Sequence, residues 1–194
     1  AAPPPGNVRV VWAGPADIPK VALTFDDGPT PGITDGILDL LQAANARATF
    51  FVLGRRVENG NGRARDLVKR MVLEGHEVGN HGFTHTSVTQ LSRSAVEREV
   101  AETQRVVASA CGLRPRWFRP PGGAITFNDL RQLSVTDVSG IVMWSLDPVD
   151  WSTPPREVLW RRIATGVRPG SIILLHDTHR ETLEALPVIL DLLQ

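Results

Sequence analysis

Two adjacent carboxylates, Asp26 and Asp27, close a short apolar run and are followed at once by Gly28-Pro29. Neighbouring side chains of an extended strand point to opposite faces, but in a turn they can converge on one ligand. One could then bind a metal while the other holds or deprotonates the water on it. Read alone, the pair is equally an ordinary strand-to-loop turn, where Asp and Gly are common. His81 and His85 stand four residues apart in the stretch GNHGFTH. Imidazoles at that spacing can reach one ion, or can be two surface histidines. The metalloprotease pattern needs Glu directly after the first His, and Gly82 stands there, so a hydrolytic base must come from elsewhere. With Asp27 the pair makes a two-His, one-carboxylate set. Zinc held by three protein ligands keeps a position open for water. The same ligand types suit non-haem iron, so ligand identity does not choose.

Other reactive residues are scattered along the chain. His176 precedes Asp177 and can be a structural histidine or a general acid, since its unperturbed pKa near 6.5 suits proton transfer at neutral pH. Arg119 leads from Trp117-Phe118 into Pro120-Pro121-Gly122-Gly123. A guanidinium buried there near Asp26 would lower and fix that carboxylate. Gly122 leaves its backbone N–H accessible to a developing oxyanion. Trp144 reads as core. Trp151, in a loop after two acids, reads equally as core or as a face for a sugar ring.

The elements that would position these residues alternate. Lys20 to Phe25 reads as the first firm strand, Thr34 to Ala44 as a helix, Ala48 to Leu53 as a buried strand and Arg65 to Glu74 as a helix closed by Gly75. Glu77 to Gly79 is a short strand, Ser92 to Cys111 a long helix ended by Gly112, Arg116 to Arg119 strand-like, and Asn128 to Leu133 a short helix. Ile141 to Leu146 is a strand, Pro155 to Thr165 a helix, Ser171 to Leu175 an apolar strand and Thr182 to Leu193 the last helix. Strands apolar along their length suit a parallel sheet covered on both faces, hence a barrel-like or doubly wound α/β fold. The unusual polar residues all follow strands. In a parallel barrel the strand C-termini open on one face, so residues distant in sequence meet there.

At 194 residues the chain reads as one domain. Residues 1–17 are expected to be an extended leader or linker, in which Val8 to Trp12 is a short hairpin arm or edge strand; residues 18–194 are the domain proper. The opening AAPPPG is either what remains of a cleaved secretion signal or an interdomain linker. Net charge is zero and 22% of residues are charged, which leaves no basic face for nucleic acid or an anionic membrane. No apolar run approaches the roughly 18 residues or more of a membrane-spanning helix. Cys111, the single cysteine, excludes an intrachain disulfide and reads as a small buried hydrophobe.

Five motifs in order, TFDDGP (24–29), H-x-x-x-H (81–85), RPP-x-G (119–123), D-x-x-D-W (147–151) and L-x-H-D (174–177), resemble the polysaccharide deacetylases, carbohydrate esterase family four, also called the NodB-homology domain. ATFFV (48–52) and GHEVGNH (75–81) add to the likeness, which covers roughly residues 18 to 194. The resemblance implies a distorted (β/α) barrel with about seven parallel strands and the site at their C-terminal ends. It implies that Asp27, His81 and His85 bind a divalent metal, most often zinc, sometimes cobalt or nickel. Asp26 would be the base for the water on that metal, and Arg119 would orient Asp26. The Gly122 N–H would help bind the oxyanion, and His176 would protonate the leaving amine or alcohol with Asp147 tuning the network. Trp151, Leu174 and Pro121 would line the acetyl pocket or sugar groove. The implied substrates are peptidoglycan, chitin or its oligosaccharides, or acetylxylan, met by a secreted or cell-wall-associated monomer.

Three positions depart from the family pattern. Gly122 replaces a usual aromatic, which removes one wall of the groove and predicts a wider one. Gly82 replaces Ser or Thr, which removes a hydrogen bond. The chain ends at Gln194, where the family adds a short Gly-aromatic strand, so a more open barrel or a shortened chain is expected. The alternative function is a non-catalytic carbohydrate-binding domain of the same fold. An iron oxygenase with the same ligands fits less well, because a spare carboxylate stands beside Asp27.

Overall fold

The chain alternates between short β-branched or aromatic runs and longer amphipathic ones, and the computed structural model, which describes residues 8–60, 62–133 and 136–194, turns these into a curled parallel sheet wrapped by helices. The strands are β1 (Arg9–Val11), β2 (Ala22–Asp26), β3 (Thr49–Val52), β4 (Glu77–Asn80), β5 (Trp117–Phe118), β6 (Gly140–Val142) and β7 (Ile172–His176). The helices are α1 (Thr34–Ala43), α2 (Gly54–Asn59), α3 (Arg63–Leu73), α4 (Arg93–Cys111), α5 (Phe127–Leu133), α6 (Arg156–Gly166) and α7 (Arg180–Leu193). Spatial order is β1-β6-β5-β4-β3-β2-β7, every pairing parallel. Among the described residues β1 and β7 form no ladder with each other. Beyond β6 the chain crosses to β7 instead, where Leu146 bridges Ile173 and Leu174 N–H donates to the Leu146 carbonyl at 2.9 Å.

The expected distorted barrel of seven parallel strands is therefore the observed architecture. Residues 8 to 12 contain an edge strand and no hairpin, because β1 pairs in parallel with β6. Residues 1–7 of the expected leader lie outside the described residues. The expected strand at 141–146 is three residues long; its remainder leaves the sheet at Met143 to reach β7. Helix α2 had no separate expectation, being one and a half turns directly after β3 with no apolar period to announce it.

Strand alternation divides the labour. Leu23 and Phe25 of β2, Phe50 and Val52 of β3, and Ile173 and Leu175 of β7 face outward, into a core completed by Ile37, Leu41, Met71, Leu159 and Ile189 from the helices. Phe25 stacks on Phe50 with centroids 5.2 Å apart. The residues between them face the barrel interior. Asp26 is in register with His176 on one side and Phe51 on the other, and Phe51 with Gly79. A second core lies under α4 and α5, from Val96, Val100, Phe118, Leu133 and Ile141. Among the described residues no helix is long and apolar enough to cross a membrane.

Candidate active site

The strand ends deliver the reactive groups. Asp26 ends β2, and the next residue turns with Asp27 at φ +74°. That left-handed backbone swings Asp27 off the strand's alternation, so that both carboxylates reach one place. β4 ends at Asn80, and His81 follows it. The loop then turns at Gly82 (φ +79°) and presents His85, itself at φ +70°. The ligating atoms of Asp27, His81 and His85 lie within 4.8 Å of one another. Two of the three residues thus sit in backbone conformations that non-glycine residues rarely adopt, which the surrounding packing must sustain.

The donor set fits a divalent cation. His81 Nδ1 lies 2.7 Å from the Arg119 carbonyl, which can only accept, so Nδ1 carries a proton. In the neutral ring the Nε2 lone pair then faces Asp27 Oδ1 at 3.4 Å and Asp26 Oδ2 at 3.7 Å. His85 Nε2 lies 3.1 Å from the same Asp27 oxygen. That oxygen is buried and makes no aligned hydrogen bond. Lone pairs facing one another in a buried site are repulsive unless a cation stands between them, and a backbone carbonyl on the far imidazole nitrogen is the usual support of a metal-ligating histidine. Burial alone would raise the Asp27 carboxyl; positive charge at the His81 and His85 side of it outweighs burial and holds Asp27 well below the usual carboxylate range.

Asp26 is held separately. Arg119, with no exposed surface, donates through Nη1 to Asp26 Oδ1 at 2.7 Å and to Thr24 Oγ1 at 2.8 Å. Its Nε and Nη2 donate to the Val142 and Met143 carbonyls at 3.0 and 2.9 Å, and its guanidinium lies over the Phe51 ring at 4.2 Å. Burial lowers its pKa against the pull of Asp26. A guanidinium so fully engaged orients one Asp26 oxygen and leaves the other toward His81.

Beside Asp26, on the neighbouring strand β7, stands His176. Its Nδ1 bonds Asp150 Oδ1 at 2.7 Å, and its backbone N–H donates to Asp150 Oδ2, also at 2.7 Å. Thr182 Oγ1 donates to the same Oδ2 at 2.7 Å. Burial lowers the His176 pKa, but Asp150 above all, with Asp26 and Asp27 behind it, drives it up to about 9. The partner of His176 is therefore Asp150 and not the expected Asp147. Asp147 precedes Pro148, and its carboxylate accepts from the Val149 N–H at 2.7 Å, holding the turn that follows. Val149 (φ +61°) and Thr153 (φ +49°) bracket the short helical turn Asp150–Ser152, which points Asp150 inward and leaves it with no exposed surface. Only the second acid of D-x-x-D-W lies inside that turn.

The remaining expected residues are placed as follows. Gly122 has φ +67°, and a Cβ built there meets nothing within 4 Å, so that side of the loop is open. Trp151 is 56% exposed, while Leu174 and Pro121 are buried, Leu174 in register with Thr24 and Pro121 against the His81–His85 loop. Gly82 lacks a side-chain hydroxyl, but the loop is not loose. Glu99 of α4 accepts at Oε2 from the Phe83 and Thr84 N–H groups at 2.7 and 2.8 Å, and at Oε1 from Thr84 Oγ1 at 2.9 Å. Asn80 Oδ1 accepts from Gly82 N–H at 2.8 Å. Glu99 and Asn80 had no expected role. The signal for Glu99 was present: it is charged, yet shares the inward stripe of Val96, Val100 and Thr103 at spacings of three and four.

The polysaccharide deacetylase family model matches residues 13–138, which include Asp27, His81, His85 and Arg119 but stop short of Asp150 and His176. The peptidoglycan-N-acetylglucosamine deacetylase PgdA of Listeria monocytogenes is 36% identical over 96% of this chain, and the alignment covers 38% of PgdA. The chain thus spans about two fifths of that relative's length. The chitooligosaccharide deacetylase of Sinorhizobium fredii is 41% identical over 88% of this chain and 77% of its own. Among solved structures, the Bc1960 peptidoglycan N-acetylglucosamine deacetylase superposes with a TM-score of 0.88 at 33% identity, covering 95% of this chain and 86% of that one. A family-four pseudoenzyme from Bacillus anthracis gives the same TM-score at 29% identity, covering 96% of this chain and 64% of its own.

Proposed function

Because this chain belongs to the polysaccharide deacetylase family, we propose that it is a metal-dependent hydrolase that removes acetyl groups from a polysaccharide of N-acetylglucosamine. The observation that carries the reading is the convergence of one carboxylate and two imidazoles beside a second carboxylate held by a buried arginine. Asp27, His81 and His85 hold the cation, zinc first, with cobalt or nickel as substitutes. Such an ion, when bound, polarises a carbonyl and makes water nucleophilic at neutral pH by lowering its pKa to about 7.

The protein's own groups do the rest. Asp26 accepts the proton of the attacking water, because Arg119 fixes its orientation. Charge then grows on the carbonyl oxygen, where the Gly122 N–H supplies a donor, on a loop with open space where a side chain would stand. The amine leaves only once protonated, and His176 delivers that proton from Nε2 while Asp150 holds the imidazolium through Nδ1. Amide plus water thus becomes amine plus acetate. Trp151 offers an exposed indole to the sugar ring, and Leu174 and Pro121 back the acetyl group. Peptidoglycan and chito-oligosaccharides, the substrates for which those relatives are named, support N-deacetylation ahead of acetylxylan and a place of action outside the cytoplasm.

Acetate release tests this. Metal-stripped protein is given zinc or cobalt and offered N-acetyl-chito-oligosaccharides, peptidoglycan fragments and acetylxylan. Metal-dependent release from the first two is expected. Binding of these glycans with no release, by folded zinc-loaded protein, would sink the enzyme reading in favour of a binding domain, which the likeness to a pseudoenzyme keeps in view.

A further inference from the structure

Gly28, directly after Asp27, does not have a positive φ. A glycine is needed there for space. A Cβ built on it would lie 2.0 Å from Asp177 Oδ2 and 2.3 Å from both Asp177 Cγ and Oδ1, so the carboxyl group of Asp177 stands where a side chain of Gly28 would be. Asp177 itself is buried, 1% exposed, and its Oδ1 has no hydrogen-bond partner. Its Oδ2 accepts from Thr34 Oγ1 at 2.6 Å, and that hydroxyl accepts from the Thr30 N–H of the same loop at 2.8 Å. The Asp177 N–H donates to the Asp26 carbonyl at 3.3 Å. On its other side, the Gly28 carbonyl accepts from Leu53 N–H at the end of β3, at 2.9 Å. The loop that turns Asp27 out of the strand is therefore gripped from β7 by a carboxyl group and from β3 by an amide.

We infer that Asp177 is a positioning residue for the metal centre: its side chain, matched in shape to the missing side chain of Gly28, fixes the left-handed turn at Asp27 and so sets metal affinity. The inference rests on the metal-centre reading above. It assigns Asp177 no contact with metal, water or substrate. The match is one of shape: an amide of the same outline does the same work as the acid, whereas removing the carboxyl leaves a void against Gly28, and adding a methyl to Gly28 forces the loop away.

Zinc affinity, measured by competition with a chromophoric chelator, and the visible spectrum of the cobalt form test this on the whole chain at a temperature where every variant is folded by circular dichroism. Asp177→Asn keeps wild-type affinity and spectrum. Asp177→Ala and Gly28→Ala each weaken zinc binding by about tenfold or more, the usual range for loss of a residue that supports a ligand. The double variant Gly28→Ala with Asp177→Ala binds better than Gly28→Ala alone, because the new methyl occupies the void; neighbouring sites couple in this way and independent ones add. Additive losses in the double variant, or wild-type affinity in both alanine variants, would overturn the inference. Should Gly28→Ala not fold, Asp177→Ala against Asp177→Asn decides it: equal affinities would refute it. A wild-type chain that binds neither zinc nor cobalt would overturn the metal-centre reading itself, a different failure from wild-type binding with indifferent variants.

Discussion

The two sides of the candidate site are built on opposite terms. On the β2–β4 side, Asp27 Oδ1 is buried without an aligned partner, and two imidazole nitrogens face it at 3.1 and 3.4 Å. On the β6–β7 side, Asp150 is buried with both oxygens engaged, by the His176 ring, the His176 N–H and the Thr182 hydroxyl. One side is electrostatically incomplete without a cation; the other is complete as the chain folds. Binding energy for a metal comes from a site that folding leaves unsatisfied, whereas a proton donor must be poised before the substrate arrives. The two sides should therefore fail differently.

The largest effect expected is at the residue between them. Asp26→Asn should lower kcat by about 10³-fold, within the usual range for loss of a general base. Asn keeps an acceptor for Arg119, so zinc stoichiometry by metal analysis should stay at the wild-type value. Its melting temperature should drop, since the buried guanidinium loses its counter-charge. Zinc loss with an unchanged melt would reverse the assignment of Asp26 and Asp27.

Next comes the saturated side. Asp150→Ala removes an acceptor from three donors and should destabilise the fold by about 3 kcal/mol in urea titration, with or without zinc. The milder Asp150→Asn tests the acid. The His176 pKa is raised from 6.5 to about 9, so the imidazolium persists through neutral pH. Its stabilising pairing is fully present below 6.5 and is lost as pH rises through about 9. The basic limb of the kcat profile should fall near that pH in the wild type and move toward neutrality in Asp150→Asn. A limb that stays in place would remove His176 as the proton donor. Asp147→Asn should leave the limb where it is.

Smaller still is the support of the incomplete side. Glu99→Ala releases three hydrogen bonds from the His81–His85 loop and should weaken zinc binding by about tenfold, seen in chelator competition, with a smaller loss for Glu99→Gln. Equal affinity in both variants would mean that the strained turn at His85 holds itself. The smallest effect belongs to Trp151→Ala, which should raise KM a few-fold, about 1 kcal/mol, with kcat unchanged.

The contrast between the two sides also explains what the sequence could yield. Asp26-Asp27 and His81–His85 each follow a strand directly, and a strand end fixes where the next residue or two must go. Parallel strands then gather those ends on one face, so the metal side is legible from motif and period. Asp147 and Asp150 stand farther from their strand, beyond a crossing segment and on either side of a proline, and a turn bracketed by two left-handed residues decides which acid points inward. Nothing in residue type separates the two acids. The Gly28–Asp177 match was illegible for another reason: it joins residues 149 positions apart through shape alone, with no charge pair or period to signal it. Helix α4, by contrast, was readable to within a residue, because Ser92 accepts from Ala95 N–H at its start and Gly112 ends it at φ +78°.

Arg119 bears on how the molecule acquires activity. Its four donor contacts and ring contact join groups from β2, β3 and the exit of β6 to the end of β5, and its bonds to Asp26 and Thr24 span 93 and 95 residues of chain. No local segment can assemble that cage. Contacts so distant in sequence form late, after the loop-closure entropy between them has been met. A half-wound barrel would carry Asp26 unoriented and the guanidinium in water. Turnover should therefore return during refolding only with the slowest tertiary phase, and nascent or truncated chains lacking β6 should be inert.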